Sequence, residues 1–208
     1  MKKTLLIVLC TSFLFSQIRE EITERHENGV KKTIIIYKGT GTKENLIKKL
    51  KYYDNENIKS STEWNHGIED GLYTYWYNDG QKGQEGTYKG GEKDGKWTKW
   101  YNDGQKQSEE TLKNKKEDGL WTYWHTNGQK KSEKKYSDGK GQGLWTYWDK
   151  NGQKRGEGTY KDGEEDGLHT SWDKNGQKKK ETSYEDGNLV DEWTFVLEYH
   201  ENGEKKVE

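Results

Sequence analysis

The feature that most constrains this chain is a repeat. The segment DGLWTYWHTNGQKKSE begins at Asp118, and near copies begin at Asp70, Asp94, Gln142 and Asp166, each start lying 24 residues after the last. A unit this short cannot bury an apolar face by itself, so its packing must come from neighbouring units. Counted from the first residue, positions 1 to 7 read most typically Asp-Gly-Leu-Trp-Thr-Tyr-Trp. Asp or Asn follows at 10, Gly at 11, Gln and Lys at 12 and 13, Glu at 16, usually an aromatic residue at 19, and Gly at 22. A weaker copy precedes in the same register, with Tyr52 aligned to Trp76 and Trp64 to Tyr88. A degenerate copy follows, with Trp193, Thr194, Asn202 and Gly203, stretched by three residues. HENGVKK, from His26, reads as an eroded outer copy.

Each unit carries hairpin chemistry. Asp79-Gly80, Asp103-Gly104, Asn127-Gly128, Asn151-Gly152 and Asn175-Gly176 are dipeptides that tolerate the two positive φ angles of a type I′ turn. The flanking aromatic and β-branched residues favour strands. A second glycine-rich stretch, such as KGGEKDG from Lys89 to Gly95, reads as a wider turn into the next hairpin. The expected fold is all-β: an elongated, single-layer antiparallel meander of tandem 24-residue hairpins. With a two-residue turn at Asn127-Gly128, Thr122 faces Glu133 and Trp124 faces Lys131; a three-residue turn shifts the pairing by one. Alternation then puts Leu120, Thr122, Trp124 and Glu133 on one face and Trp121, Tyr123 and Tyr136 on the other, so both faces carry rings.

Composition supports a quasi-one-dimensional structure. Hydrophobic residues make up only 27% of the 208, charged residues 35%, and aromatic residues 13%. Such a chain lacks the aliphatic content of a layered core, yet ten Trp and fourteen Tyr argue against disorder. Packed rings can stabilise a sheet that has no second layer. Lys plus Arg (36) balances Asp plus Glu (37), so no basic field points to nucleic acid.

Five segments follow. Residues 1–16 (MKKTLLIVLCTSFLFS) have the charged, apolar and small-residue regions of a secretory signal peptide, with an ordinary buried segment or a lipoprotein signal at Cys10 as alternatives. Cleavage after Ser16 leaves 34 basic residues against 37 acidic ones, a net charge of −3, and removes Cys10, the only cysteine. Residues 17–45 form an N-terminal capping segment with the eroded repeat. KKTIIIYKG, from Lys31 to Gly39, reads as a strand, while TKENLIKKLKYY, from Thr42 to Tyr53, is helix-compatible with Thr42 as cap. Residues 46–69 form the degenerate repeat, 70–189 the five clear repeats, and 190–208 a degenerate C-terminal capping repeat.

Glycine, tryptophan and the turn dipeptide at fixed spacing, in Gly71, Trp76, Gly80 and their later equivalents, resemble the variant MORN repeats of bacteria over about residues 46–208. The nearest likeness is to the YwqK-type antitoxin family. The resemblance implies a meandering sheet and protein or membrane binding rather than catalysis. The antitoxin description implies a toxin partner, which fits poorly with an exported chain.

Residue chemistry points away from an active site. Glu85, Glu109, Glu133, Glu157 and Glu181 recur at position 16; identical environments do not separate pKa values into an acid and a base, so each is expected to pair with a Thr or Lys. The five histidines occupy no shared repeat position and show no zinc spacing. The aspartates lack the nonapeptide pattern of calcium-binding β-rolls. No enzyme, metal or cofactor is expected. The candidate binding surface is aromatic: Trp76, Trp97, Trp100, Trp121, Tyr123, Trp124, Trp145, Tyr147, Trp148 and Trp172. Gly80, Gly104, Gly128, Gly152 and Gly176 are expected to shape turns. The expected role is a protein-binding scaffold at the cell envelope. The alternatives are an antitoxin or immunity protein, and binding of wall glycan or lipid headgroups.

Overall fold

A computed structural model describes residues 17–39 and 42–195. The expectations for the leader 1–16, for Cys10 and for Asn202-Gly203 lie outside the described residues. The chain forms two compact units, residues 1–115 and 116–208. In the first, β1 (Ile18–Arg25), β2 (Lys31–Lys38), β3 (Leu46–Tyr52), β4 (Ile58–Asn65), β5 (Ile68–Trp76), β6 (Lys82–Lys89), β7 (Glu92–Trp100) and β8 (Lys106–Lys113) follow one another. Each pairs antiparallel with the next. The second unit holds β9 (Lys116–Glu117), β10 (Gly119–Trp124), β11 (Lys130–Ser137), β12 (Lys140–Trp148), β13 (Lys154–Lys161), β14 (Glu164–Trp172), β15 (Lys178–Glu185) and β16 (Asn188–Thr194). From β10 onward each strand again pairs antiparallel with its successor. The meander expected from the repeat is therefore the fold of each unit.

The helix expected from Thr42 is not formed. Lys43–Asn45 makes one 3-10 turn, without a side-chain cap from Thr42, and Leu46–Tyr52 is strand β3. Leu46 and Leu50 suit a helical i, i+4 pair, but they also suit a strand of period two. Hydrogen bonding to β2 on one side and β4 on the other decides for the strand. β1 and β2 extend the meander of their unit, and Ile18 remains 63% exposed.

The two turn types of each unit are exchanged relative to the sequence expectation. At Asn127-Gly128, the His125 N–H donates to the Gln129 carbonyl (2.9 Å) and the Gly128 N–H to the His125 carbonyl (3.0 Å), leaving a three-residue loop. Only Gly128 takes a positive φ (81°), as in a type I turn followed by a left-handed glycine bulge. Gly80, Gly104, Gly152 and Gly176 do the same, at 87°, 83°, 80° and 78°. The preceding Asp or Asn turns its side-chain oxygen to the backbone N–H two residues on, from Asp79 to Gln81 (3.0 Å), Asp103 to Gln105 (3.0 Å) and Asn127 to Gln129 (3.2 Å). The tight two-residue turn lies instead between hairpins. Both central residues are left-handed at Asp138-Gly139 (51°, 83°) and Asp162-Gly163 (53°, 95°), and Lys161 pairs directly with Glu164.

The longer loop is absorbed by a bulge. Trp124 pairs with Lys130, not Lys131; Lys131 is then skipped, and Tyr123 meets Ser132 and Thr122 meets Glu133. Trp76 with Lys82, Trp100 with Lys106, Trp148 with Lys154 and Trp172 with Lys178 repeat this offset. One extra loop residue and one bulged residue cancel, so the expected Thr122–Glu133 pairing and division of faces both hold.

Burial follows from a sheet with no covering layer. In the second unit the most buried side chains are small and polar: Thr122, Ser132, Thr146, Thr170 and Thr182. They lie mid-strand, where larger neighbours lean over them. The first unit has a few buried apolar residues, Ile34, Leu46, Tyr52 and Trp97.

Candidate binding surface

One face of each unit carries contacting rings. In the second unit these run Trp121–Tyr136 (5.2 Å between centroids), Tyr136–Trp145 (5.2 Å), Trp145–Tyr160 (4.1 Å, stacked), Tyr160–His169 (5.2 Å) and His169–Tyr184 (5.0 Å). In the first unit Tyr73, Tyr88 and Trp97 form a triangle with sides of 5.1–5.7 Å. Trp97 is 1% exposed and lies flat on Gly86, where an added Cβ would come within 2.2 Å of the indole. It is a packing residue, unavailable to a partner. Trp121, Tyr123, Trp145 and Tyr147 are half-buried on this face. Burial raises the Tyr136 and Tyr147 phenols above their ordinary value, and raises Tyr160 to about 12.

The opposite face pairs charge with the remaining tryptophans. The Lys82 ammonium lies 5.5 Å from the centroid of Trp100, Lys130 5.9 Å from Trp148 and Lys154 5.4 Å from Trp172. The same lysines bind Glu85 (2.7 Å), Glu133 (2.6 Å) and Glu157 (2.6 Å), and Lys106 and Lys178 bind Glu109 and Glu181. Burial pushes the Glu109 carboxyl up, but hydrogen bonds from Lys106 and Lys96 outweigh it and hold the group below the usual range. The glutamates thus have the lysine partners expected of them, and Thr170 also donates to Glu181 (3.3 Å). Trp76, Trp100, Trp124, Trp148 and Trp172 are half-buried here.

The loops stack on one another through position 8. The Tyr53 hydroxyl donates to the Trp76 carbonyl (2.8 Å), Tyr77 to that of Trp100 (2.7 Å), and the ring N–H of His125 to that of Trp148 (2.9 Å). His26 makes the equivalent bond to the Tyr52 carbonyl (3.0 Å). Two histidines that look unrelated in sequence therefore do the same structural work, because the eroded copy is offset by an insertion. His169 is likewise a substitute: its Nε2 bonds the Thr159 carbonyl (2.9 Å) as the Trp145 indole bonds that of Lys135 (3.1 Å).

Two surface features escape sequence reasoning. Leu120, Leu144 and Leu168, at position 3, are 55%, 56% and 49% exposed. They stand on alternate strands of one face, roughly 9–10 Å apart. Lys96 at the same position in another copy was the available signal that this site faces solvent. The second is a shallow depression of about 240 Å³ lined by Gly156, Gly158, Tyr147, Tyr160, His169 and Lys180, with the His169 ring lying against Gly158. Among the five clear repeats, this one alone has glycine at both positions 15 and 17. Among the described residues no cluster of three or more His, Cys, Asp or Glu side chains could hold a metal ion.

Comparison with protein families places these units. The MORN repeat variant matches residues 93–114, 117–138, 142–162 and 165–186. Four of the hairpin units are thus similar to the MORN repeat variant. No curated protein matches the chain. A MORN match describes a repeating architecture and names neither a toxin nor any other partner. The matched MORN segments contain the exposed leucines, both ring faces and the Gly156–Gly158 depression; the hairpins β3–β4 and β5–β6 repeat the same geometry outside them.

Proposed function

We propose that this protein is a non-catalytic, exported MORN-type scaffold that binds another protein at the bacterial cell envelope. The observation that carries the reading is the row Leu120, Leu144 and Leu168 on one face of the second unit. Apolar side chains repeated at one position and left in solvent offer a partner a regularly spaced row of contacts. Repetition also lets affinity accumulate along an extended ligand. Export rests on the leader-like residues 1–16.

The test is chemical cross-linking of the mature chain to its own envelope fraction. The wild type should give a defined protein adduct, and a Leu120→Ser, Leu144→Ser, Leu168→Ser variant should lose it while keeping its β-sheet circular dichroism. An adduct unchanged in that variant refutes the leucine surface. Glycan binding is a second reading, favoured by the Tyr147 and Tyr160 rings that line the depression beside Gly156. It requires co-sedimentation with peptidoglycan that Tyr147→Ala weakens.

A further inference from the structure

The Asn-Gly loops form a chemically graded series. Asn127 is held at both ends of its side-chain amide: Nδ2 donates to the Lys150 carbonyl and Oδ1 accepts from the Gln129 N–H. Asn28 is held alike, by the Asp54 carbonyl (3.2 Å) and the Val30 N–H (3.1 Å). Asn151 and Asn175 differ. There the position-8 residue is an aspartate, and it takes over the capping. Asp149 Oδ1 accepts from the N–H groups of Asn151 (2.8 Å) and Gln153 (3.1 Å), and Asp173 Oδ1 from those of Asn175 (2.8 Å) and Gln177 (3.0 Å). Among the described residues no hydrogen bond reaches the side-chain amide of Asn151 or Asn175, and both are exposed.

We propose that Asn151 and Asn175 are sites of spontaneous deamidation, and that the fold protects Asn127 and Asn28 from the same reaction. The following glycine has no Cβ to shield its amide nitrogen. That nitrogen loses its proton to solvent and attacks the side-chain Cγ. The new C–N bond closes a five-membered succinimide, while the bond from Cγ to the side-chain nitrogen breaks and ammonia leaves. Water then opens the ring. Addition at the former side-chain carbonyl gives aspartate, and addition at the main-chain carbonyl gives isoaspartate. The balance is asparagine plus water to (iso)aspartate plus ammonia, with no change of oxidation state.

All four loops share the bond that must open first, from the glycine N–H to the position-8 carbonyl: Gly29 to His26, Gly128 to His125, Gly152 to Asp149 and Gly176 to Asp173 (2.9–3.1 Å). What separates them is the freedom of the Asn side chain to rotate its Cγ onto that nitrogen. The aspartate product is compatible with the fold, since Asp79 and Asp103 occupy the same loop position and cap the same N–H. Each event adds one negative charge to the loop edge. Isoaspartate inserts a methylene into the main chain and breaks the three-residue geometry.

The experiment incubates the full chain at mildly alkaline pH, natively and in denaturant, and follows each Asn-Gly peptide by mass spectrometry. Two side-chain hydrogen bonds imply that native Asn151 and Asn175 convert at least about fivefold faster than Asn127 and Asn28. In denaturant the four rates should converge. Equal native rates, faster conversion of Asn127 or Asn28, or a native difference that persists undiminished in denaturant each overturn the proposal.

Discussion

Gly86→Ala tests whether rings resting on bare backbone hold a hairpin together. Gly86 has no positive φ, so alanine fits its backbone and by itself would stabilise the chain by about 0.4–1 kcal/mol through the unfolded state. The structure predicts the opposite sign. The new Cβ would come 2.2–2.6 Å from three atoms of the Trp97 indole, a rigid group that is 1% exposed and boxed by Tyr73 and Tyr88. Relieving that overlap costs about 1–3 kcal/mol, as overpacking does. The ceiling is the roughly 3–5 kcal/mol of losing the packed indole altogether. Gly156→Ala is the control. Its Cβ meets only Tyr147 and the Thr170 carbonyl, at 3.7–3.8 Å, so it should be neutral or stabilise by up to about 1 kcal/mol. Repeat arrays need not unfold in one step, so the assay is hydrogen exchange of peptides spanning β6 to β8, and β12 to β14 for the control. Slower or unchanged exchange in Gly86→Ala, or equal loss of protection in both variants, would refute the seat-and-ring reasoning.

Three further outcomes follow from single sites. Gly176→Ala should cost about 1–2 kcal/mol from its left-handed φ of 78° alone, since nothing lies within 4 Å of the new Cβ; Gly176→Asn should recover part of this in exchange over β14–β15. The Tyr160 phenol, raised from 10.0 to about 12, keeps its proton in the fold where the unfolded chain has lost it. Its contribution is complete below pH 10 and disappears as pH rises through about 12, and an ultraviolet tyrosinate titration of wild type minus Tyr160→Phe should show that late step. Glu133→Gln breaks an ion pair of 2.6 Å whose lysine is half exposed. It should change stability by no more than about 1 kcal/mol, with the difference shrinking in high salt as chemical melts would show.

The leucine and glycine positions mark the boundary of what sequence could reveal. Leu120 and Trp97 look alike as apolar members of one motif, yet one is 55% exposed and the other 1%. Parity along a strand assigns each to a face, but not the neighbours that lean over it. Trp97 is buried because Gly86 and two tyrosines lie against it, residues that come from the two preceding strands. The helix expected from Thr42 was lost for a similar reason: hydrogen bonding from both flanking strands overrode a pattern that fits either period.

By itself the sequence determined the repeat, the strand-turn-strand order and the alternation of rings between the two faces, because strand period and turn glycines act over a few residues; it left the Thr122–Glu133 register open, since the three-residue loop alone would shift it by one. The tertiary structure alone decided which Asn-Gly or Asp-Gly dipeptide makes the tight turn and which the three-residue loop. The same two residues serve both. Only the pairing of whole strands, with a bulge that must cancel the extra loop residue, selects between them.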